Sequence, residues 1–441
     1  MIIQRKKNTI ALFRNSSKKR ILPVQDDFAL TKKERVNVNL FGYGLITYTV
    51  GYAPTMCGVK AIDATTLQGI QITGLVALLT GAIGLIKFKF ENKYLENVFK
   101  ILIIYGISIV LRGLKTDYGY IKTILFDPDY TIFVYLVPLV MLFPQKLELY
   151  KKLFSFLYIY GILFFIFCGI FLDNLMMPDW RNWEAQYDID CFFLFLAYPV
   201  TFNLVNYFFQ PKPKKWFAFA VTFVSLYFVI YRARRGSLLM EITTLLGILM
   251  VYLIQTKRTV LIIFLSVFFA LFMSVFMSNM QLPSMFDNLQ ARGNDDTRTG
   301  VELAMKADMN PVQWAFGKGL NGTYYCATVI DDPTNITFQR RVIETGYLQI
   351  ILNGGIVSLS LLILIIFPAI YLGLAKSSNI LCKGSAIFML LWVFYQYPRI
   401  VTSFSMYYVL IWISVGMCYS TKIRNMSNNT IKAYLQRSTN H

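Results

Sequence analysis

Apolar residues recur along this chain in long runs, and mostly short polar stretches separate the runs. A helix needs ~20 predominantly apolar residues to cross the hydrocarbon core of a bilayer, which is ~30 Å thick. The pattern therefore predicts an all-α polytopic membrane protein with about twelve transmembrane helices. We place these spans at residues 37–56, 66–86, 97–112, 128–143, 153–173, 189–209, 216–231, 237–254, 259–279, 347–372, 380–397 and 402–420.

The charges of the polar stretches alternate along the chain. If residues 1–36 are cytoplasmic, the stretches on that side of the membrane hold 27 of the 43 basic residues and 6 of the 24 acidic ones. Apart from Lys100, which lies inside a span, the opposite side holds 15 basic and 18 acidic residues. Lysine and arginine concentrate in cytoplasmic loops, so this alternation predicts that both termini are cytoplasmic.

One polar stretch between the spans is long, and we expect it to be structured. Residues 294–297 offer a helix N-cap within it, and Asn310-Pro311 offers the end of that helix. A long outer loop of this kind is usually functional. The predicted organisation is a basic cytoplasmic tail (1–36), helices one to nine (37–279), a large outer loop (280–346), helices ten to twelve (347–420) and a cytoplasmic tail (421–441).

Composition narrows the possible functions. Charged residues make up 15% of the chain, well below the share usual in soluble domains, and hydrophobic residues make up 56%. The formal net charge of +19 follows from the cytoplasmic loops, so we expect no nucleic acid partner. The one histidine is the terminal His441, which removes histidine-based catalysis and most transition-metal chemistry. We therefore expect no metal and no cofactor.

Arginines interrupt the charge pattern where the seventh span ends. Arg232, Arg234 and Arg235 fall within four residues on the predicted outer face, where basic residues should be rare. One explanation is an inverted topology. The other is an anion site, because a guanidinium group holds two phosphate oxygens in one plane. Lipid phosphates and lipid diphosphates are the phosphorylated ligands that an outer membrane face offers.

An acidic residue follows these arginines inside the eighth span. If that helix extends back through Arg234, Glu241 shares a face with it about 10 Å away along the axis. An intramembrane acid is a candidate functional residue, and we assign Glu241 to substrate binding. The alternative is that it pairs with an arginine of the cluster.

More arginines lie on the predicted outer face. Arg298 begins the loop helix, where an ion pair with Glu302 is the structural alternative. Glu344 lies at the membrane mouth and is a candidate general base, with a solvated interfacial glutamate as the alternative. The further candidates for substrate binding are Arg340, Arg341, Tyr347 and Arg399.

A glycine-rich stretch at residues 317–322 matches the GxGxxG dinucleotide pattern. The pattern binds dinucleotides when it joins a strand to a helix, and no such unit surrounds it here. We interpret it as a turn near the membrane surface.

Several of these motifs occur together in a recognisable order. The chain resembles the O-antigen ligase/polymerase superfamily of bacterial inner-membrane glycosyltransferases over about residues 230–360. The motifs that carry the resemblance are Arg234-Arg235-Gly236-Ser237-Leu238-Leu239, Thr297-Arg298, Asn310-Pro311-Val312-Gln313-Trp314-Ala315-Phe316-Gly317-Lys318-Gly319, and Glu344-Thr345-Gly346-Tyr347-Leu348-Gln349-Ile350-Ile351-Leu352-Asn353-Gly354-Gly355-Ile356.

The resemblance implies a multi-pass glycosyltransferase of the bacterial inner membrane that acts at the periplasmic face. Its substrates would be glycans on a polyprenyl diphosphate, and its product would be an O-antigen, capsule or exopolysaccharide. Membrane lipids and a chain-length regulator protein are the expected partners. Ligases of the superfamily carry a histidine before the span that begins here near Tyr347, and this chain has none there. The departure favours a polymerase.

The expected mechanism uses the arginines and one carboxylate. Arg235, Arg234 and Arg298 would stabilise the leaving lipid diphosphate, and Glu344 would accept the proton of the attacking hydroxyl. Three alternatives remain at this point. One is a ligase that transfers the glycan to a final acceptor, another is a lipid-glycan flippase or transporter, and the third is a non-catalytic anchoring protein.

Overall fold

The computed structural model describes residues 28–56, 63–127, 132–177, 179, 182–256, 298–327, 337–400 and 403–436. Within these ranges the chain is almost entirely helical, and its strands are one antiparallel pair, Tyr324–Tyr325 (β1) with Gln339–Arg340 (β2). This agrees with the predicted all-α class. The predicted ninth span at 259–279 lies outside the described residues, as do residues 1–27, 280–297 and 437–441.

The described α-helices, in chain order, are α1 (Lys32–Tyr52), α2 (Ala64–Leu85), α3 (Lys93–Leu111), α4 (Tyr118–Phe126), α5 (Ile132–Leu136), α6 (Leu147–Ile170), α7 (Leu172–Leu175), α8 (Trp183–Cys191), α9 (Thr201–Val205), α10 (Lys212–Tyr231), α11 (Arg235–Thr256), α12 (Thr299–Asp308), α13 (Pro311–Phe316), α14 (Gly346–Ala375), α15 (Ile380–Tyr395), α16 (Met406–Tyr419), α17 (Thr421–Arg424) and α18 (Asn428–Gln436). Short 3-10 segments cover Ala53–Met56, Val137–Leu142, Tyr198–Val200 and Tyr207–Phe209, and a π-helical turn covers Phe192–Ala197.

Seven helices in the described part of the chain are long and apolar enough to cross a membrane. The protein is therefore membrane-embedded on the evidence of its helices, while the count of twelve spans stays a prediction. Three further apolar helices are shorter, at Ile132–Leu142, Ile380–Tyr395 and Met406–Tyr419. The seven are Ala64–Leu85, Lys93–Leu111, Leu147–Ile170, Ala185–Val205, Lys212–Tyr231, Arg235–Thr256 and Gly346–Ala375.

Two elements form the centre of the bundle. Every residue of α16 is buried, and the segment Ala185–Val205 is almost entirely buried as well. That segment is irregular: α8 gives way to the π-helical turn and then to a 3-10 turn that contains Pro199. Proline has no N–H to continue the helical ladder, which explains a break at this point. The break leaves α8 as a separate short helix at one end of the bundle.

The helix α14 bends at Gly355, whose φ of 70° is in the left-handed region. A Cβ atom there would clash with the carbonyl oxygen of Ala315, so the last turn of α13 packs directly on the bend. The backbone N–H groups of Lys318 and Gly319 donate to the carbonyl oxygens of Leu352 and Asn353, at 2.7 and 2.9 Å. The glycine-rich stretch 317–322 is thus a packing turn against α14, consistent with its interpretation as a turn.

Opposite ends of the bundle carry different charge clusters. At one end Glu34 accepts from Lys87 and Lys146, at 2.5 and 2.7 Å. At the other end Arg112, which follows α3, donates to the carbonyl oxygens of Phe316 and Gly317. The helix α3 separates the two ends by about 28 Å, at 1.5 Å per residue. The remaining arginine candidates lie at the Arg112 end.

Candidate functional site

Segments that are distant in sequence meet at this end of the bundle. The residues before α14 are fixed to the loop between α15 and α16, because Gly346 N–H donates to Arg399 O at 3.0 Å and Tyr347 N–H donates to Gln396 O at 3.2 Å. That loop also packs on the start of α11, where a Cβ atom on Gly236 would lie 3.2 Å from Pro398 O. The arginine motif and the Glu344 motif therefore share one neighbour.

A sharp turn connects α10 to α11 and separates the arginines of the motif. Ala233 has a φ of 51°, which is uncommon for a residue with a Cβ atom. Ala233 N–H donates to Ile230 O and Arg234 N–H to Val229 O, which closes the end of α10. The helix α11 begins at Arg235, so it does not extend back through Arg234.

Asp190 holds two of the arginines. Its carboxylate pairs with Arg234 Nη2 through one oxygen and with Arg399 Nη2 through the other. Ser237 Oγ donates to Asp190 Oδ1 at 3.0 Å and accepts from Arg399 Nη2 at 2.8 Å. Gln186 accepts from Arg234 at 3.0 Å. Asp190 is only 9% exposed, so these charges meet in a largely water-free environment.

Sequence reasoning missed Asp190. It lies at the edge of the predicted sixth span, 189–209, and the available signal was the acidic pair Asp188 and Asp190. Asp188 has a different neighbourhood, since Asn174 donates to it. Nothing in the linear sequence indicates that the second acid of the pair forms an ion pair with Arg234.

Arg232 is fully buried, away from any position that a ligand could reach. Its Nε and Nη2 donate to the carbonyl oxygens of Leu175 and Asn174 at 2.7 Å each, and Nη1 donates to Asp179 O at 3.0 Å. Burial lowers the pKa of this guanidinium, and Tyr231, Asp179 and the buried Asp188 oppose that shift. The structure thus places Arg232 against the end of α7, apart from the arginines whose side chains are exposed.

Glu344 lies between two other arginines. Its carboxylate is 3.7 Å from Arg298 Nε and 3.7 Å from Arg340 Nη2, and its side chain is 48% exposed. Arg298 also donates to Pro398 O at 2.7 Å, which joins this group to the Asp190 group. Glu302, the alternative partner of Arg298, instead accepts from Thr345 Oγ1 at 2.5 Å.

The other candidates occupy separate positions. Arg341 is 3.8 Å from Asp127, which follows α4. Tyr347 is half-buried in the first turn of α14. Glu241 is 1% exposed inside α11, about 9 Å along the axis from Arg235. In the described part of the chain its Oε2 has no hydrogen-bond partner, so it does not pair with the cluster, although Ser225 and Tyr395 are near it.

The exposure of the guanidinium groups divides the cluster into two sets. The side chains of Arg234, Arg399 and Arg340 are 22%, 13% and 9% exposed. Arg235 is exposed, and the side chain of Arg298 is 37% exposed. Positive charge is therefore presented to solvent beside the half-exposed carboxylate of Glu344. Such an arrangement can bind a phosphate or diphosphate group and remove a proton from a hydroxyl group next to it.

We expect Asp190→Asn to lower the free energy of unfolding by about 3 kcal/mol, because removing one member of a buried ion pair leaves the other charges unpaired. Thermal unfolding of the detergent-purified protein checks this. Glu96→Gln is the matched control, since Glu96 and Lys100 form an exposed pair on α3 that should contribute ~1 kcal/mol or less. Equal midpoints for the two variants would show that Asp190 does not hold the cluster together.

Comparison with known proteins gives no relative of this chain. No protein-family model, no curated protein and no solved structure matches the chain. The geometry of the cluster and the motifs of the sequence therefore carry the functional argument.

Proposed function

We propose that this protein is a membrane glycosyltransferase that polymerises polyprenyl-diphosphate-linked oligosaccharide repeat units. The observation that carries the proposal is the position of Glu344 within 3.7 Å of Arg298, in a membrane-embedded chain. Arg298 donates to Pro398 O, and Gly236, which follows the exposed Arg235, packs on the same carbonyl oxygen. A reaction that expels a lipid diphosphate needs an anion site and a base close to each other at a membrane surface. The cluster supplies both.

The arginines have different tasks in this proposal. Arg235 and Arg298 contact the diphosphate of the donor, because they are the most exposed arginines of the cluster and Arg298 lies next to Glu344. Arg234 and Arg399 are positioning residues, since Asp190 holds both and they fix the start of α11. Arg340 positions Glu344 from the other side. Arg232 supports the turn from within the protein.

The reaction transfers the growing glycan to a new repeat unit. A hydroxyl oxygen of the acceptor attacks the anomeric carbon of the donor and forms the new glycosidic bond. The bond from that carbon to the diphosphate oxygen breaks, and its electron pair leaves with the lipid diphosphate. Glu344 accepts the hydroxyl proton. The negative charge that develops on the leaving group is stabilised by the guanidinium groups of Arg235 and Arg298, where losing one such donor typically costs ~3 kcal/mol of activation free energy.

The arrangement of the motifs supports the resemblance to the O-antigen ligase/polymerase superfamily. The start of α11 and the residues before α14 both contact the loop that carries Arg399. The turn at Gly317 and the bend at Gly355 pack on each other. The motifs that carry the resemblance and lie in the described residues therefore fall into two groups. Within each group the segments contact one another. Polymerase activity fits better than ligase activity, because no histidine precedes α14.

The proposal includes a topology. Twelve spans would place residues 280–346 in the periplasm and both termini in the cytoplasm of a bacterial inner membrane. The charges support this orientation, since the end with Lys87 and Lys146 is the predicted cytoplasmic side. The arginine cluster would then face the periplasm, where lipid-linked glycans are polymerised.

We expect a cysteine at position 300 to react with an impermeant maleimide in intact spheroplasts, and a cysteine at position 212 to react only after permeabilisation. Gly300→Cys and Lys212→Cys, each in a cysteine-free background, provide the test, and both positions are exposed. Labelling after permeabilisation is the control for reactivity. The reverse pattern would place the arginine cluster in the cytoplasm and contradict the proposal.

We expect Arg235→Lys to reduce polymerisation at least tenfold although the charge is kept, because a planar guanidinium grips two diphosphate oxygens and an ammonium group cannot. The chain length of the glycan in a deletion strain, measured at matched expression, reports the effect. Arg35→Lys is the control: Arg35 is also a half-exposed arginine, but it pairs with Glu148 at the opposite end. Polymer of normal length from Arg235→Lys would show that the positive charge at this position is sufficient and that the planar guanidinium is not needed.

We expect Glu344→Gln to be largely inactive and Glu344→Asp to be partly active, because only a carboxylate can accept the hydroxyl proton. The cell should make glycan that stops at one repeat unit and still reaches its final acceptor. Asp308→Asn, in the same loop but paired with Lys318, should polymerise normally. Long chains that stay on the lipid carrier would instead indicate a ligase, and normal polymer from the Gln variant would remove Glu344 from the mechanism.

A further inference from the structure

A long apolar groove lies between α11 and α15, away from the arginine cluster. Its volume is about 540 Å³, and its lining is apolar except for one residue at each end, Thr243 and Lys383. Gly247 forms part of its floor, where a Cβ atom would lie 3.1 Å from both Ile387 and Leu391. A glycine at this position lets α15 approach α11 closely at the floor of the groove, and a larger side chain there would project into it.

The direction of the groove follows from the pairing of the two helices. Thr243 Oγ1 and Tyr395 Oη are 2.6 Å apart, while Gly247 contacts Ile387 and Leu391, so α11 and α15 run antiparallel. The groove therefore extends from Thr243 at one end to Lys383 at the other. From Thr243 to Ile254, its last lining residue on α11, the distance is about 16 Å, at 1.5 Å per residue.

That length matches one lipid chain in one leaflet. Half of the hydrocarbon core is about 15 Å thick, so a single acyl chain would fill the groove from the membrane surface to the midplane. The Lys383 end lies about 28 Å along α11 from Arg235, which places it in the opposite leaflet from the arginine cluster. In the described part of the chain Lys383 forms no ion pair, and the residue is partly exposed where it lines the end of the groove.

We infer that this groove binds one acyl chain of an anionic phospholipid, with the lipid phosphate on Lys383. Charge complementarity favours this occupant over the tail of a polyprenyl diphosphate held by the arginine cluster. That ligand would carry its charge at the far end of the helix pair and leave Lys383 without an anion. The inference does not depend on the proposed glycosyltransferase activity.

Native mass spectrometry of the detergent-purified full chain tests the site with two lipids of identical acyl chains, phosphatidylglycerol and phosphatidylcholine. We expect the wild type to retain phosphatidylglycerol about fivefold better, which corresponds to ~1 kcal/mol for one lysine near a headgroup. Lys383→Gln should remove that preference. Gly247→Leu should abolish retention of both lipids, because its side chain fills the groove.

Two matched controls separate the site from general effects. Lys376→Gln removes a nearby exposed cation outside the groove, and Gly169→Leu adds a side chain where nothing lies within 4 Å of a Cβ atom. Both should retain lipid as the wild type does. A phosphatidylglycerol preference that survives Lys383→Gln overturns the inference, and this variant decides the question even if Gly247→Leu does not fold. An unchanged lipid count with a lower unfolding temperature in Gly247→Leu would also overturn it, by indicating that residues of this chain occupy the groove.

Discussion

The carboxylate of Asp190 pairs with two guanidinium groups, and the shape of the arginine cluster depends on that contact. Arg234 comes from the α10–α11 turn and Arg399 from the loop after α15, so the pairing joins segments that are 165 residues apart in the chain. The side chains of both arginines are mostly buried, at 22% and 13% exposed, and the carboxylate offsets the cost of holding their charges away from water. The same contact fixes the start of α11, and thereby the position of the exposed Arg235.

Burial assigns different tasks to arginines that look alike in the sequence. The guanidinium group of Arg232 donates to three backbone carbonyl oxygens. The guanidinium group of Arg234 pairs with Asp190 and donates to Gln186. Arg235 is exposed at the start of α11, and Arg298 keeps a partly exposed side chain beside Glu344. A rigid, buried set that supports an exposed set is the arrangement that an anion site needs, since preorganised charges do not have to move when the ligand arrives.

The two ends of the helix pair α11 and α15 differ in chemistry. One end presents the arginine cluster and a carboxylate, and the other presents a single lysine at the mouth of an apolar groove. A bilayer supplies anionic headgroups at both of its surfaces, so each end can bind a phosphate group independently. The glycine at position 247 and the one at position 236 have comparable effects at these two ends, because each allows a neighbouring segment to approach α11 closely.

The sequence by itself determined that this is a helical membrane protein, and it placed most helices within a few residues, because the length of an apolar run reflects the thickness of a bilayer. It also gave Arg235, Arg298 and Glu344 as candidate residues of one site, a prediction that rests on motifs rather than on contacts. Only the tertiary structure revealed Asp190 as the partner of Arg234 and the burial of Arg232. The physical reason is that a charge in a protein interior is stabilised by whichever dipoles and counter-ions surround it, and those come from segments that no local pattern connects.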